Sequence, residues 1–242
     1  MEVGSHQRRM YEMKSIWALP ERLWTTDIAL TTLLISLLAF IFFLYPLGLI
    51  GSFRPLPSVF FSLILVTGAI TVSRNRIFRT LVFSWGLLAF ILTWARFLFP
   101  HQQTLIFVAN CLALFFLLLL TTLILGQALR EGPTTYHRIT GAVAAYLLIG
   151  MIWSLAYYLV TLCIPGAFSV QRPSVPGGTE SLQSQLFYFS FVTLTTIGYG
   201  DIAPVHPFVR MLVILEGVVG QLFPAILIAR LVSLQVQSKQ KT

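Results

Sequence analysis

Six stretches of mostly apolar residues, separated by short polar breaks, run along the chain: Ile28–Ile50, Leu56–Ser73, Thr80–Phe99, Thr104–Leu129, Ile139–Phe168 and Pro207–Val232. A helix crossing a bilayer needs roughly 17–25 such residues, so each stretch predicts a transmembrane helix. A further apolar stretch, Leu182–Thr195, is too short to cross and return. It predicts a re-entrant half-helix followed by extended backbone. Such backbone survives at membrane depth only when buried in protein or lining a water-filled path. The Pro-, Gly- and Ser-rich segment 165–181 before it reads as an exposed turret.

Composition and charge sharpen this picture. The chain is 57% hydrophobic and only 10% charged, against about 25% charged for a soluble domain. No Asp, Glu, Lys or Arg falls between Arg96 and Arg130, or between Arg138 and Arg172. With the N-terminus inside, twelve Lys and Arg collect on the cytoplasmic face. Four (Arg54, Arg96, Arg172 and Arg210) lie outside, which predicts cytoplasmic termini by the positive-inside rule. The net charge of +8 is thus a topology signal that meets anionic lipid, and nucleic acid is not expected. Residues 1–26 are mostly polar and show no cleavable signal. Met10, Met13, Trp17 and Trp24 recur there at roughly helical spacing among basic residues. That pattern fits an interfacial anchor, and it also fits a partner-binding or gating element. Cys111 and Cys163 sit in different apolar segments and read as buried thiols. The four histidines show no metal-ligand spacing.

Between the half-helix and the last span stands Thr195-Thr196-Ile197-Gly198-Tyr199-Gly200-Asp201, which resembles the selectivity-filter signature of the potassium channel family. The resemblance covers roughly Ile139–Val232. It implies that carbonyls of Thr196, Ile197, Gly198 and Tyr199 from four chains replace the hydration shell of K⁺. The Thr196 hydroxyl adds an inner ring, and Gly198 and Gly200 permit the unusual dihedrals that aligned carbonyls need. One chain carries one signature, so a cyclic homotetramer is implied. The half-helix ending near Thr195 aims its negative end at a cation.

The same resemblance assigns the surrounding residues. Tyr188 and Phe189 look like an aromatic cuff around Tyr199, although neither is Trp. Val192 stands where some members carry a glutamate that pairs with the filter aspartate, here Asp201, so that pairing is absent. Thr193 and Thr195 complete the filter support. Gly220, nineteen residues after Asp201, matches the family's hinge glycine. Gln221 and Pro224 fall on the face that lines the inner cavity in relatives, and Pro224 is also an ordinary transmembrane kink. Glu216 is an acid in mid-span, which is costly without a partner. It either bonds a pore-helix hydroxyl such as Thr193 or Thr195, or senses protons or cations.

The expected protein is therefore an all-α integral membrane protein with six transmembrane helices, a re-entrant pore helix and a selectivity filter. Its parts are an N-terminal interfacial segment (1–26), a four-helix sensor-like domain (27–129), a short linker (130–138), a pore domain (139–232) and a tail (233–242). The expected function is passive K⁺ permeation in the cell membrane. K⁺ in the filter is the only bound species expected, its partners are its own copies and lipid, and no catalytic constellation suggests an enzyme. The fourth span has no Lys or Arg, so steep voltage gating is not expected. A nonselective cation channel, a K⁺-uptake transporter and an accessory membrane subunit are the alternatives. The single filter and the intact Gly198-Tyr199-Gly200 weigh against them. The linker Arg130–Arg138 contains Gly132 and Pro133, which break a helix. It thus predicts a tight reversal and a tetramer without exchange of the first four helices between subunits.

Overall fold

The computed structural model describes residues 30–44, 62, 64, 76–98, 102–129, 136–170 and 182–240. The first described helix, α1 (Leu30–Phe42), widens into a π-helical turn over Phe40–Leu44. Then come α2 (Arg76–Leu98), α3 (Gln103–Ala128), α4 (Tyr136–Cys163), strand β1 (Phe168–Val170), α5 (Leu182–Leu194), strand β2 (Ile202–Pro204) and α6 (Pro207–Gln240). Three helices are long and apolar enough to cross a membrane among the described residues: Gln103–Gly126, Arg138–Cys163 and Pro207–Arg230. At 13 residues, α5 is about 20 Å long and cannot span.

Several expected boundaries move. α4 begins at Tyr136, inside the expected linker, and stops at Cys163, where the turn containing Gly166 at φ 79° takes over. The end of the expected fifth span becomes β1, which pairs antiparallel with β2 in the register Phe168↔Pro204, Ser169↔Ala203, Val170↔Ile202. Among the described residues the protein is thus helical with one two-stranded ribbon, where an all-α fold was expected. α6 continues through the expected tail to Gln240. The N-terminal segment 1–26, nearly all of Leu56–Ser73, the linker portion 130–135 and the turret portion 171–181 lie outside the described residues.

The core sits between α1, α3 and α4. Leu30, Leu33 and Leu37 of α1 meet Phe116, Leu117, Leu120 and Ile124 of α3 and Ala144, Ala145, Leu148 and Met151 of α4. Lipid is as apolar as these side chains, so close packing of small residues holds such helices together. Gly141 provides it on α4: a Cβ there would stand 3.5 Å from Ile124 and 4.0 Å from the Ala128 Cβ. Two buried hydroxyls here are satisfied within their own helices, Thr93 on Ala89 O and Thr121 on Leu117 O, each at 2.7 Å. The Trp85 indole N–H crosses from α2 to the Leu112 carbonyl of α3 at 3.3 Å. The core extends to α5 and α6 through Phe187, Phe191 and Phe223, with Phe40 of α1 edge-on to Phe187 at 5.5 Å.

Candidate functional site

α5 ends at Leu194, and its last carbonyls catch the backbone that follows. The Thr195 N–H donates to Phe191 O at 3.0 Å and the Thr196 N–H to Thr193 O at 2.9 Å. The N–H groups of Ile197 and Gly198 both reach Val192 O, at 2.9 and 3.3 Å. In a trans peptide the C=O points opposite to the N–H it is bonded to. The carbonyls of Thr196 and Ile197 therefore point away from α5. Positive φ recurs at every second residue: Thr196 at 60°, Gly198 at 59° and Gly200 at 80°. Alternating the hand of the backbone turns successive peptide groups to one side. Glycine takes such dihedrals freely, whereas β-branched Thr196 does so at a cost of about 1–2 kcal/mol. Sequence reasoning anticipated the two glycines and missed Thr196. All residues from Thr195 to Gly200 are exposed in the single chain.

The segment is held at both ends. Beyond the half-buried Asp201, β2 pairs with β1, and the Val205 and His206 N–H groups lie 2.9 and 3.3 Å from Ala167 O. Tyr188 lies parallel to Tyr199, with ring centroids 6.5 Å apart and planes 3° from parallel. Phe189 does not join them within the chain. It is buried against Tyr157 and Phe168, at 5.5 and 5.2 Å, because the ribbon brings Phe168 over that face of α5. Val192 is buried and serves through its carbonyl.

Glu216 is fully buried, but its partners differ from those expected. The Thr195 hydroxyl is engaged by Phe191 O of its own helix at 2.6 Å. Instead, the Tyr157 hydroxyl of α4 donates to Glu216 Oε2 at 2.5 Å, and Ser190 Oγ of α5 lies 2.6 Å from Oε1. Ser190 Oγ also lies 2.8 Å from the Gly150 carbonyl. Gly150 allows this approach, since a methyl group there would meet the Phe191 ring at 2.8 Å. Neither Ser190 nor Tyr157 could have been picked from the sequence, where a serine and a tyrosine in apolar helices are unremarkable.

A second junction lies at the end of α5. The Tyr146 hydroxyl donates to Leu194 O at 3.1 Å, and the Tyr146 ring stacks on Phe223 at 5.8 Å. Gly220 of α6 presses on the same carbonyl: a Cβ there would lie 2.0 Å from the oxygen. Pro224 has no N–H for the Gly220 carbonyl four residues earlier, so the expected hinge residue is also a point of backbone contact. Gln221 is exposed and Pro224 half-buried.

This arrangement, a short helix feeding a carbonyl-presenting loop and backed by two long apolar helices, defines an ion-channel pore domain. Residues 145–237 match the family described as Ion channel. The "Two-pore potassium channel 4" of Arabidopsis thaliana is 36% identical over 87 residues, which is 36% of this chain and 30% of that relative. The chain thus spans under a third of that relative's length. Residues 145–237 thus carry an ion-channel domain, and it is within this C-terminal region that the chain is similar to a potassium channel.

Proposed function

We propose that the chain is one subunit of a homotetrameric potassium-selective channel that passes K⁺ passively across the cell membrane. The observation that carries this reading is the alternating backbone of Thr196–Gly200, with the Thr196 and Ile197 carbonyls turned away from α5. Four such segments around an axis would supply stacked oxygen rings, with K⁺ held at Thr196, Ile197, Gly198 and Tyr199. The exposed apolar face of α6 supports assembly around that axis. Met211, Ile214 and Ile226 are 71%, 66% and 63% exposed in one chain, a surface that further copies would cover. In this reading α5 is the re-entrant pore helix, six helices span the bilayer and both termini are cytoplasmic. Tyr188, Phe189, Thr193, Thr195, Asp201 and Glu216 support the filter, while Gly220, Gln221 and Pro224 line or shape the inner end.

Purified protein in liposomes tests it. K⁺ and Rb⁺ should cross and Na⁺ should be largely excluded. Equal K⁺ and Na⁺ flux would make the protein a nonselective cation channel, and flux requiring an ion gradient of a second species would make it a transporter.

A further inference from the structure

Behind the filter, three short oxygen–oxygen contacts share the protons of only two hydroxyl groups. The Gly150 carbonyl can only accept, so at 2.8 Å it takes the Ser190 hydroxyl proton. Ser190 Oγ then offers only lone pairs to Glu216 Oε1, 2.6 Å away. Two oxygens at that separation need a proton between them, and Glu216 is the group left to supply it. Its other oxygen, Oε2, accepts from the Tyr157 hydroxyl. We propose that Glu216 is a neutral carboxylic acid and the middle link of a one-directional hydrogen-bond chain that positions α5, and with it the filter. The chain runs from Tyr157 through Glu216 and Ser190 to the Gly150 carbonyl.

The surroundings fit a neutral group. Tyr157, Ser190 and Glu216 are each 0% exposed. No Lys, Arg or His pairs with Glu216 among the described residues. Its neighbours are Tyr157 and Gly150 from α4 and Ser190 from α5, with Tyr146 the next titratable group along α4. An unpaired carboxylate in such a place would be strongly disfavoured. The chain of bonds also does what apolar packing cannot. Side chains such as Phe187 and Phe191 tolerate small rotations and slides of α5, whereas hydrogen bonds weaken steeply with distance and angle. Ser190 lies four residues before Leu194, and the filter begins two residues after that. One rotational setting of α5 satisfies every member, and that setting aims the carbonyls that follow.

The protonation of Glu216 stands on the hydrogen-bond geometry alone, while its consequence for permeation rests on the channel reading above. Two measurements separate them. The chain has eight Asp and Glu, and exposed carboxyl groups are ionised at neutral pH. Infrared spectra of the purified full-length protein at neutral pH should carry a carboxylic-acid carbonyl band that Glu216→Gln removes. Its absence from the wild type overturns the proposal whether or not the protein conducts. In liposomes, Glu216→Leu and Ser190→Ala should lower the K⁺-to-Na⁺ flux ratio about tenfold, each leaving buried polar groups unsatisfied. Glu216→Gln, whose amide can accept from Tyr157 and donate to Ser190, should rescue the ratio. A Gln variant as unselective as Glu216→Leu, or a Ser190→Ala variant with undiminished selectivity, overturns the positioning role. Wild-type liposomes that pass both ions equally reject the potassium-selective reading, and the infrared band then still decides the proton.

Discussion

At the scale of single residues, the Leu194 carbonyl concentrates the most constraint. It accepts from Tyr146 and abuts the backbone of Gly220. A methyl group at Gly220 would stand 2.0 Å from that oxygen, and the obstacle is backbone, which cannot swing aside as a side chain can. Gly220→Ala should therefore push α6 away from α5, costing at least about 1–3 kcal/mol, as overpacking does, and should degrade K⁺ preference. Gly217, three residues earlier on the same helix, has nothing within 4 Å of its Cβ position. Gly217→Ala should hold thermal stability or raise it, since alanine favours helix over glycine by about 1 kcal/mol. Thermal unfolding of the two variants side by side checks this. Similar small stabilisation in both would make Gly220 a flexible hinge and nothing more. The sequence singled out Gly220 by its spacing from Asp201, as the resemblance implied, and Glu216 as an acid in the middle of an apolar span. What each touches was not legible, because Leu194, Ser190, Gly150 and Tyr157 are ordinary residues brought near by helix packing. The segment proposed as the filter stood out because its chemistry is written in residue types that few other structures require.

At the scale of elements, α3 carries the clearest negative feature. Its sequence, from Gln103 to Ala128, holds no Lys, Arg, Asp or Glu. Each charge moved across the membrane field contributes only about 2.3 kcal/mol per 100 mV, so steep gating needs several charges in each subunit. The channel's open probability should accordingly vary little as voltage is stepped across reconstituted bilayers. A curve requiring several gating charges per subunit would show that another element moves charge. Element types were largely readable, since continuous apolar runs admit few alternatives to helix. Ends were not. The fifth span gives way to β1 because Phe168–Val170 finds a partner in Ile202–Pro204, more than thirty residues further on. No local pattern announces such a pairing. The continuation of α6 past Val232 escaped for a different reason: Gln235, Gln237, Lys239 and Gln240 are good helix formers beyond the last apolar run, and hydropathy does not register them.

At the scale of the whole molecule, the question is which subunit's pore the first helices rest on. Within one chain, three contacts join them to α4 and α5. Phe40 of α1 meets Phe187 of α5, Leu30 of α1 lies 3.9 Å from the Cβ position of Gly141 on α4, and Ala128 at the end of α3 lies 4.0 Å from that same position. The last of these brings the end of α3 against α4 within the chain. It also supplies a direct test. A disulfide needs Cβ atoms about 3.5–4.5 Å apart, and Ala128 with Gly141 meets that distance. With Cys111 and Cys163 replaced by serine, Ala128→Cys and Gly141→Cys introduced together should oxidise readily in membranes. If each subunit packs on its own pore helices, the bond forms inside one chain, and a non-reducing gel shows only monomer of altered mobility. If α1–α3 instead docked on a neighbour, the same pair would link subunits and produce dimers through tetramers. Either single variant alone should remain uncrosslinked. A ladder from the double variant would overturn the unexchanged arrangement while leaving the filter, and the function proposed for it, untouched.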